Sequence, residues 1–139
     1  MTGTWVHVGA LRVGVLAAAS PALQDAIVAG ENRDFIGLMV WLNAAGCQKL
    51  IGEAVPASDL AGNAVLREHV RASLRRWNAA HTGASQQIAR ALILAEPPSI
   101  DANEITDKGY VNQRLALERR ANDVERLFAA RPEADVIVV

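Results

Sequence analysis

The sequence predicts a small two-layer α+β domain, in which a short β-sheet packs against three to four helices. Two runs of strand-forming residues flank a turn-forming segment, and a third such run follows later in the chain. The segments between and after these runs carry apolar residues at helical spacing. The 139 residues are 51% hydrophobic and 21% charged, which suits one globular domain with a sizeable core.

The amino-terminal third of the chain is predicted to hold a strand, a helix and a hairpin. Residues 4–8 alternate in polarity and end at a glycine, which indicates a short strand. Residues 10–19 are short and interrupted by Gly14, but their apolar spacing favours a helix that stops at Ser20-Pro21. The runs 23–29 and 35–42 are separated by GENRD and therefore predict a β-hairpin.

The middle of the chain is predicted to contain two helices and a strand. The first helix covers residues 44–51. Ser58 or Asp59 can cap a longer one, whose apolar positions recur at steps of four, four and three before Gly83 ends it. Residues 88–95 (IARALILA) are predicted to form a strand. The predicted apolar face of the longer helix consists of Leu66, Val70, Leu74 and Trp77.

The carboxy-terminal third is predicted to be a loop, one helix and a tail. The helix covers about residues 111–130, and Arg120 lies off its apolar stripe. We assign residues 1–130 to the domain and residues 131–139 to a tail, whose VIVV either adds a strand or stays loose. The predicted buried stripe of the helix consists of Leu117, Ala121, Val124 and Phe128.

Composition limits the cellular compartment and the classes of binding partner expected for the chain. A formal net charge of −1 gives no argument for binding nucleic acid or an anionic membrane. A single cysteine, Cys47, excludes an internal disulfide and fits a reducing compartment. The sequence shows neither a signal peptide nor an apolar run approaching the ~20 residues of a membrane span. We therefore expect a cytoplasmic protein with no nucleic-acid or membrane partner.

Most familiar catalytic patterns are missing from the sequence. The three histidines have no metal-site spacing, and no metal is predicted. The segment HTGAS (residues 81–85) lacks the Gly-Lys-Ser/Thr ending of a phosphate loop, so a plain connecting loop is the better interpretation. Arg67, Arg71 and Arg75 form a row along one helix, for which we favour a solvated ridge over an anion site.

Lys108 lies in the segment EITDKGYVNQRLALERR (residues 104–120), which leads into the last predicted helix. Thr106 or Asp107 is predicted to cap that helix, so Lys108 would stand in its first turn. The amino end of a helix carries roughly half a positive charge, so this cation would add to a preformed anion site. Alternatively, Glu104 and Asp107 neutralise the lysine on the surface, and the pattern leaves both interpretations open.

Three blocks of the chain resemble the carboxy-terminal part of feruloyl-CoA synthases, which are acyl-CoA ligases of the adenylate-forming (AMP-binding) superfamily. They are GTWVHVGALR (residues 3–12), ENRDFIGLMV (31–40) and AEPPSIDANEITDKGYVNQRLALERRANDVERLFA (95–129). The most distinctive part is ITDKG followed by the Asn-Gln-Arg run. The resemblance extends over nearly the whole chain up to about Ala130.

The resemblance implies that the chain is the mobile lid domain of a larger acid–CoA ligase. Its partner would be the enzyme's own amino-terminal adenylation domain, whose phosphate loop this sequence lacks. Such an enzyme joins an aromatic acid, by default ferulate, to AMP with ATP and Mg²⁺. It then exchanges AMP for coenzyme A. The lid alone is expected to bind none of these cofactors and to be inactive.

The resemblance also assigns roles to individual residues. Lys108 matches the lid lysine that contacts the substrate carboxylate and the transferred phosphate during adenylation. Its supporting loop is Thr106, Asp107 and Gly109, although the wider superfamily usually reads Gly-Lys where this chain has Lys-Gly. The strip that lines the pantetheine tunnel during thioester formation corresponds to Gly3, Thr4, Trp5 and Val6.

Two other classes of function remain open at this point. The chain could be a freestanding α+β interaction or ligand-binding module without catalysis, with Lys108 as a surface charge. It could also be a structural domain that forms a homodimer through the apolar residues of its tail.

Overall fold

The computed structural model describes residues 8–30, 33, 35–83 and 86–139, without the side chain of Ala57. The predicted strand at residues 4–8 lies outside this part, except for Val8, which begins a helix. The described residues form a four-stranded sheet and six helices, which confirms the α+β class. None of these helices is long and apolar enough to cross a membrane.

The sheet has the strand order β1-β2-β3-β4. The predicted hairpin is confirmed as β1 (Leu23–Ala29) and β2 (Ile36–Leu42), which pair antiparallel. The third predicted strand is β3 (Ile88–Ile93), which runs parallel to β2. The fourth strand, β4 (Val136–Val138), pairs antiparallel with β3, so β1 and β4 form the two edges.

Side chains on both faces of the sheet are buried, which explains the nearly continuous apolar runs of the two hairpin strands. One apolar cluster includes Ala26, Val28, Leu38 and Val40, and the other includes Ile27, Ala29, Met39 and Trp41. Alternate residues of each strand thus enter opposite clusters, as the period of a strand requires.

Two helices cover the first face of the sheet. The predicted helix at residues 10–19 is confirmed as α1 (Val8–Ala18), and it packs on α4 (Ala64–Ala80). A Cβ on Gly14 would lie 2.3 Å from the indole ring of Trp77, so a glycine lets the two helices approach closely. The predicted apolar face of α4 is buried at Leu66, Val70 and Leu74 and partly buried at Trp77.

The connection between β2 and β3 differs in part from the prediction. Helix α2 (Ala44–Ile51) is confirmed, but no long helix is capped by Ser58 or Asp59. A single turn, α3 (Ala57–Leu60), comes first, and α4 begins only after Asn63, whose side chain accepts a 3.0 Å hydrogen bond from the Leu66 amide. Asn63 is the better cap because Gly62 before it interrupts the helical run.

The second face is covered by two short helices where one was predicted. They are α5 (Gln113–Arg119) and α6 (Ala121–Leu127), and the chain bends between them at Arg120, whose φ is −107° and ψ 32°. Arg120 was predicted to lie off the buried stripe but is only 8% exposed, because its side chain pairs with a buried carboxylate. Leu117, Val124 and Phe128 pack against the second cluster, whereas Ala121 is exposed, contrary to prediction.

Of the two alternatives for VIVV, the structure shows the strand, because β4 buries Val136 and Ile137. The arginine row on α4 holds this segment in place. Arg67 donates to the carbonyls of Ala134 and Asp135 at 2.8 and 3.0 Å, and the Arg71 Nε donates to the Val138 carbonyl at 3.0 Å. Arg67 and Arg71 are thus half-buried and bonded to this segment rather than freely solvated, whereas Arg75 is exposed as predicted.

Candidate active-site loop

Lys108 lies at the tip of a small hairpin formed by residues 105–111. Ile105 and Val111 form an isolated antiparallel bridge at its base. The Gly109 amide donates to the Thr106 carbonyl at 2.9 Å, and the Thr106 amide donates to the Tyr110 carbonyl at 2.8 Å. Gly109 has a φ of +83°, the left-handed conformation that a tight hairpin loop of this length needs after its turn. The order Lys-Gly is thus the order that this hairpin requires.

The predicted cap of the following helix is wrong. Helix α5 begins at Gln113, and its cap is Asn112, whose side chain accepts a 3.2 Å hydrogen bond from the Leu115 amide. The Thr106 hydroxyl oxygen instead accepts from the Tyr110 amide within the hairpin, also at 3.2 Å. Lys108 therefore precedes the first helical turn by several residues. The field of the helix fades within one turn, so it neither penalises nor recruits this cation.

Lys108 is an exposed cation on an exposed tip. All residues from 106 to 110 are exposed, and Tyr110 keeps 59% of its surface open. Within the described part of the chain, the ammonium group makes no ion pair. Arg12 on α1 lies beside the tip, with its guanidinium carbon 6.0 Å from the Tyr110 ring centroid. The ammonium group of Lys108 is therefore accessible from solvent.

Glu104 does not neutralise Lys108, because it is fully buried and bound elsewhere. Its carboxylate accepts from the Arg120 Nε at 2.9 Å and from the Ser99 amide at 2.9 Å, and the exposed Arg119 lies 3.4 Å away. Burial alone would raise the pKa of Glu104, but these hydrogen bonds and charges outweigh it and hold the pKa below its ordinary value. One of the two predicted counter-charges is thus committed to Arg120.

Arg120 ties this carboxylate to the sheet. The guanidinium donates to the carbonyls of Glu96 and Pro97, each at 3.2 Å, in the loop that follows β3. It also lies over the Trp41 ring of β2, with its carbon 5.1 Å from the centroid. The Trp41 indole N–H donates to the same Glu96 carbonyl at 2.7 Å. Among the described residues, no buried side-chain nitrogen or oxygen lacks a hydrogen-bond partner, those of Glu104 and Arg120 included.

The Asn-Gln-Arg run has a structural explanation in its first two members. Asn112 caps α5, as described above. The Gln113 amide nitrogen donates to the Ala26 carbonyl at 2.9 Å, and its amide oxygen accepts from the Val28 amide at 3.0 Å. Gln113 therefore bonds the edge of β1 that faces away from β2 as a neighbouring strand would. The sequence did not predict that Gln113 bonds β1. The only local signal was the position of this glutamine directly after the residue that caps α5.

Gly3, Thr4, Trp5 and Val6, the predicted tunnel strip, lie outside the described residues. Among the residues that are described, no group of three or more His, Cys, Asp or Glu side chains is arranged to hold a metal ion. The single cysteine is buried in a small apolar cluster, where burial raises the pKa of the Cys47 thiol. The candidate site thus consists of Lys108 and its hairpin.

The described residues thus form an α+β domain that presents a lysine at the tip of an exposed hairpin. The model of the family described as "AMP-binding enzyme C-terminal domain" matches residues 11–132. The chain therefore belongs to that family. This finding confirms the resemblance at the level of the AMP-binding superfamily.

A solved structure agrees with this assignment at the level of the fold. The chain is similar to the A-PCP didomain of carboxylic acid reductase from Segniliparus rugosus in complex with AMP, with a TM-score of 0.59 and 19% sequence identity. The match covers 91% of this chain but only 16% of that one. The comparison with curated proteins gave no match.

Proposed function

We propose that this chain is the mobile C-terminal domain of an AMP-forming acid–CoA ligase and that Lys108 serves the adenylation step. The observation that carries the proposal is the exposed lysine at the hairpin tip of a domain from this family. The partner is an amino-terminal adenylation domain. We call the two domains together the complete enzyme.

In the proposed reaction, a carboxylate oxygen of an aromatic acid such as ferulate attacks the α-phosphate of ATP, and pyrophosphate leaves. Negative charge accumulates on the phosphate under attack. The Lys108 ammonium stabilises that charge more in the transition state than in the ground state. The thiol of coenzyme A then attacks the acyl carbon, and AMP leaves. Mg²⁺ accompanies ATP on the partner domain, and the lid supplies no ligand to it in this proposal.

Two observations support an adenylating partner. The family is that of AMP-binding enzymes, and the similar carboxylic acid reductase didomain was solved with AMP. The chain spans 16% of that protein, so most of the proposed chemistry belongs to residues beyond this domain. A net charge of −1 and a single cysteine support a cytoplasmic enzyme without nucleic-acid or membrane partners.

The isolated chain is expected to unfold cooperatively and to produce no AMP from ATP and aromatic acids. Its described residues form two large buried apolar clusters, but its sequence has no phosphate loop. Pyrophosphate release should be measured with the chain alone, with the adenylation domain alone and with the complete enzyme. Turnover by the chain alone would overturn the lid assignment. If the adenylation domain were equally active with and without the chain, a non-catalytic interaction module would be the better description.

Gly109→Ala is expected to slow adenylation, because it forces a side chain into a backbone with a φ of +83° and so distorts the hairpin tip. Gly52→Ala is the matched control, since Gly52 has a φ of +80° and equally open surroundings at the end of α2. Each change should cost about 1–2 kcal/mol of stability. Initial adenylation rates and urea unfolding should be measured for both. Equal losses of activity would show that the hairpin geometry is irrelevant to the reaction.

A further inference from the structure

The hairpin that carries Lys108 has little to hold its tip in place. Within the part of the chain that the structure describes, the hydrogen bonds of residues 106–110 are made between residues of the hairpin, and all five residues are exposed. The position of the lysine relative to the domain therefore depends on the two ends of the hairpin.

The amino-terminal end is fixed by Glu104. Its side chain is buried against Arg120, its amide donates to the Ser99 carbonyl at 2.9 Å, and its carbonyl accepts from the Asn112 amide at 2.7 Å. This anchor joins the hairpin to α5, to the start of α6 and to the loop after β3. It also serves the stability of the whole domain, so it is a poor place to separate function from folding.

The carboxy-terminal end is fixed by Gln113. Its side-chain amide donates to the Ala26 carbonyl and accepts from the Val28 amide, and these two backbone groups flank Ile27 on the edge of β1 that faces away from β2. Two antiparallel bonds from one planar group fix the distance of the group and its orientation together. Gln113 lies five residues after Lys108 and directly follows the cap of α5.

We propose that Gln113 is a positioning residue for Lys108, which fastens the lysine hairpin to the edge of β1 so that the ammonium group reaches the reacting phosphate. The inference rests on the proposed function. Gln113 itself touches no substrate and acts through the hairpin. A displacement of about 1 Å at a reacting group can cost on the order of 10²-fold in rate, so the anchor matters even though it lies away from the chemistry.

Gln48 provides a matched control within the same chain. Its side-chain amide also makes two bonds to backbone, donating to the Val55 carbonyl and accepting from the Val55 amide at 2.9 Å. This second clamp joins α2 to the loop that follows it, and its hydrogen bonds involve no residue of the lysine hairpin. Gln48→Ala and Gln113→Ala thus each remove one part-buried, two-bond amide clamp.

The experiment compares both variants in the complete enzyme. Gln113→Ala is expected to lower the adenylation rate roughly tenfold to a hundredfold. Thioester formation from presynthesised acyl-adenylate should stay within about twofold. Gln48→Ala should lower the melting temperature similarly but leave both half-reactions within about twofold of the unmodified enzyme. Gln113→Glu, which keeps the acceptor and loses the donor to Ala26, should fall between the unmodified enzyme and Gln113→Ala, and it replaces the alanine variant if that variant fails to fold.

A second measurement reports on the hairpin directly. Backbone ¹⁵N relaxation of residues 106–110 in the isolated chain should show increased mobility in Gln113→Ala and not in Gln48→Ala. The proposal is overturned if Gln113→Ala leaves adenylation unchanged, slows both half-reactions equally, or leaves the hairpin as rigid as before. Lys108→Ala, measured alongside, separates the two proposals. If it leaves adenylation intact, the proposed function fails, whereas a loss seen only in Lys108→Ala overturns the positioning role alone.

Discussion

Lys108→Ala is expected to slow acid-dependent adenylation by the complete enzyme by on the order of 10²–10³-fold, about 3–4 kcal/mol of transition-state stabilisation. The physical reason is the loss of a preplaced cation where negative charge develops. Thioester formation from presynthesised acyl-adenylate should change much less, because the lid is expected to have rotated away by then. The two half-reactions should be timed separately by rapid quench.

Stability and a second lysine provide the controls. Lys108 is exposed and lies outside α5, so its replacement should leave the free energy of unfolding unchanged. Lys49→Ala removes the other lysine, an exposed one in the last turn of α2, and should not affect adenylation. Lys108→Arg should not restore the adenylation rate, because the planar guanidinium group of arginine differs from the lysine ammonium in reach and geometry. Near-normal adenylation by Lys108→Ala would make this lysine a plain surface charge.

Glu104→Ala is expected to lower the free energy of unfolding by about 3–5 kcal/mol, because it leaves the charge of Arg120 buried without a partner. The Glu104 side chain has no exposed surface and that of Arg120 has 8%. Glu125→Ala is the contrasting variant. It breaks an ion pair with Arg33 whose side chains are 71% and 36% exposed, and it should cost at most about 1 kcal/mol. Urea unfolding of both variants gives the comparison, and similar small losses would contradict the buried-anchor description.

The same carboxylate predicts how stability depends on pH. The pKa of Glu104 in the folded chain lies below its ordinary value of 4.5, so the unfolded state binds the proton more readily. The stabilisation is therefore fully present above pH 4.5 and is lost as the pH falls through the lower, folded-state pKa. As the pH is lowered from about 6 to about 3, the free energy of unfolding should decrease more steeply for the unmodified chain than for Glu104→Ala. Parallel curves would show that this group is not the one that titrates.

Local patterns were sufficient to predict most of the individual elements. The hairpin of β1 and β2, helix α2 and strand β3 follow from apolar runs and turn-forming residues that lie within a few positions of one another. The errors fall where two local signals compete. Gly62-Asn63 outweighs Ser58 and Asp59 as the start of α4, and Asn112 outweighs Thr106 and Asp107 as the cap of α5.

The supports of the candidate site could not be predicted, because they depend on partners far away in the sequence. A charged side chain such as that of Arg120 is expected on the surface, and only its pairing with Glu104 explains why it is buried. The bonds of Gln113 to β1 join residues that are 85 and 87 positions apart. Lys108 itself could be singled out because the family resemblance gave the lysine a role that its local pattern left undecided.

These long-range supports also set an order of assembly for the chain. The hairpin of β1 and β2 can form from neighbouring residues, whereas β3 joins them only after the chain has crossed through α2, α3 and α4. Gln113 can dock only on a completed edge of β1, and Arg120 only on Trp41 and the loop behind β3. We therefore expect the lysine hairpin to be the last part of the domain to be placed during folding and among the first to be released by local unfolding. In that partly unfolded state the chain keeps its sheet, so most spectroscopic measurements would report a folded domain. Lys108, however, no longer has a defined position relative to that domain.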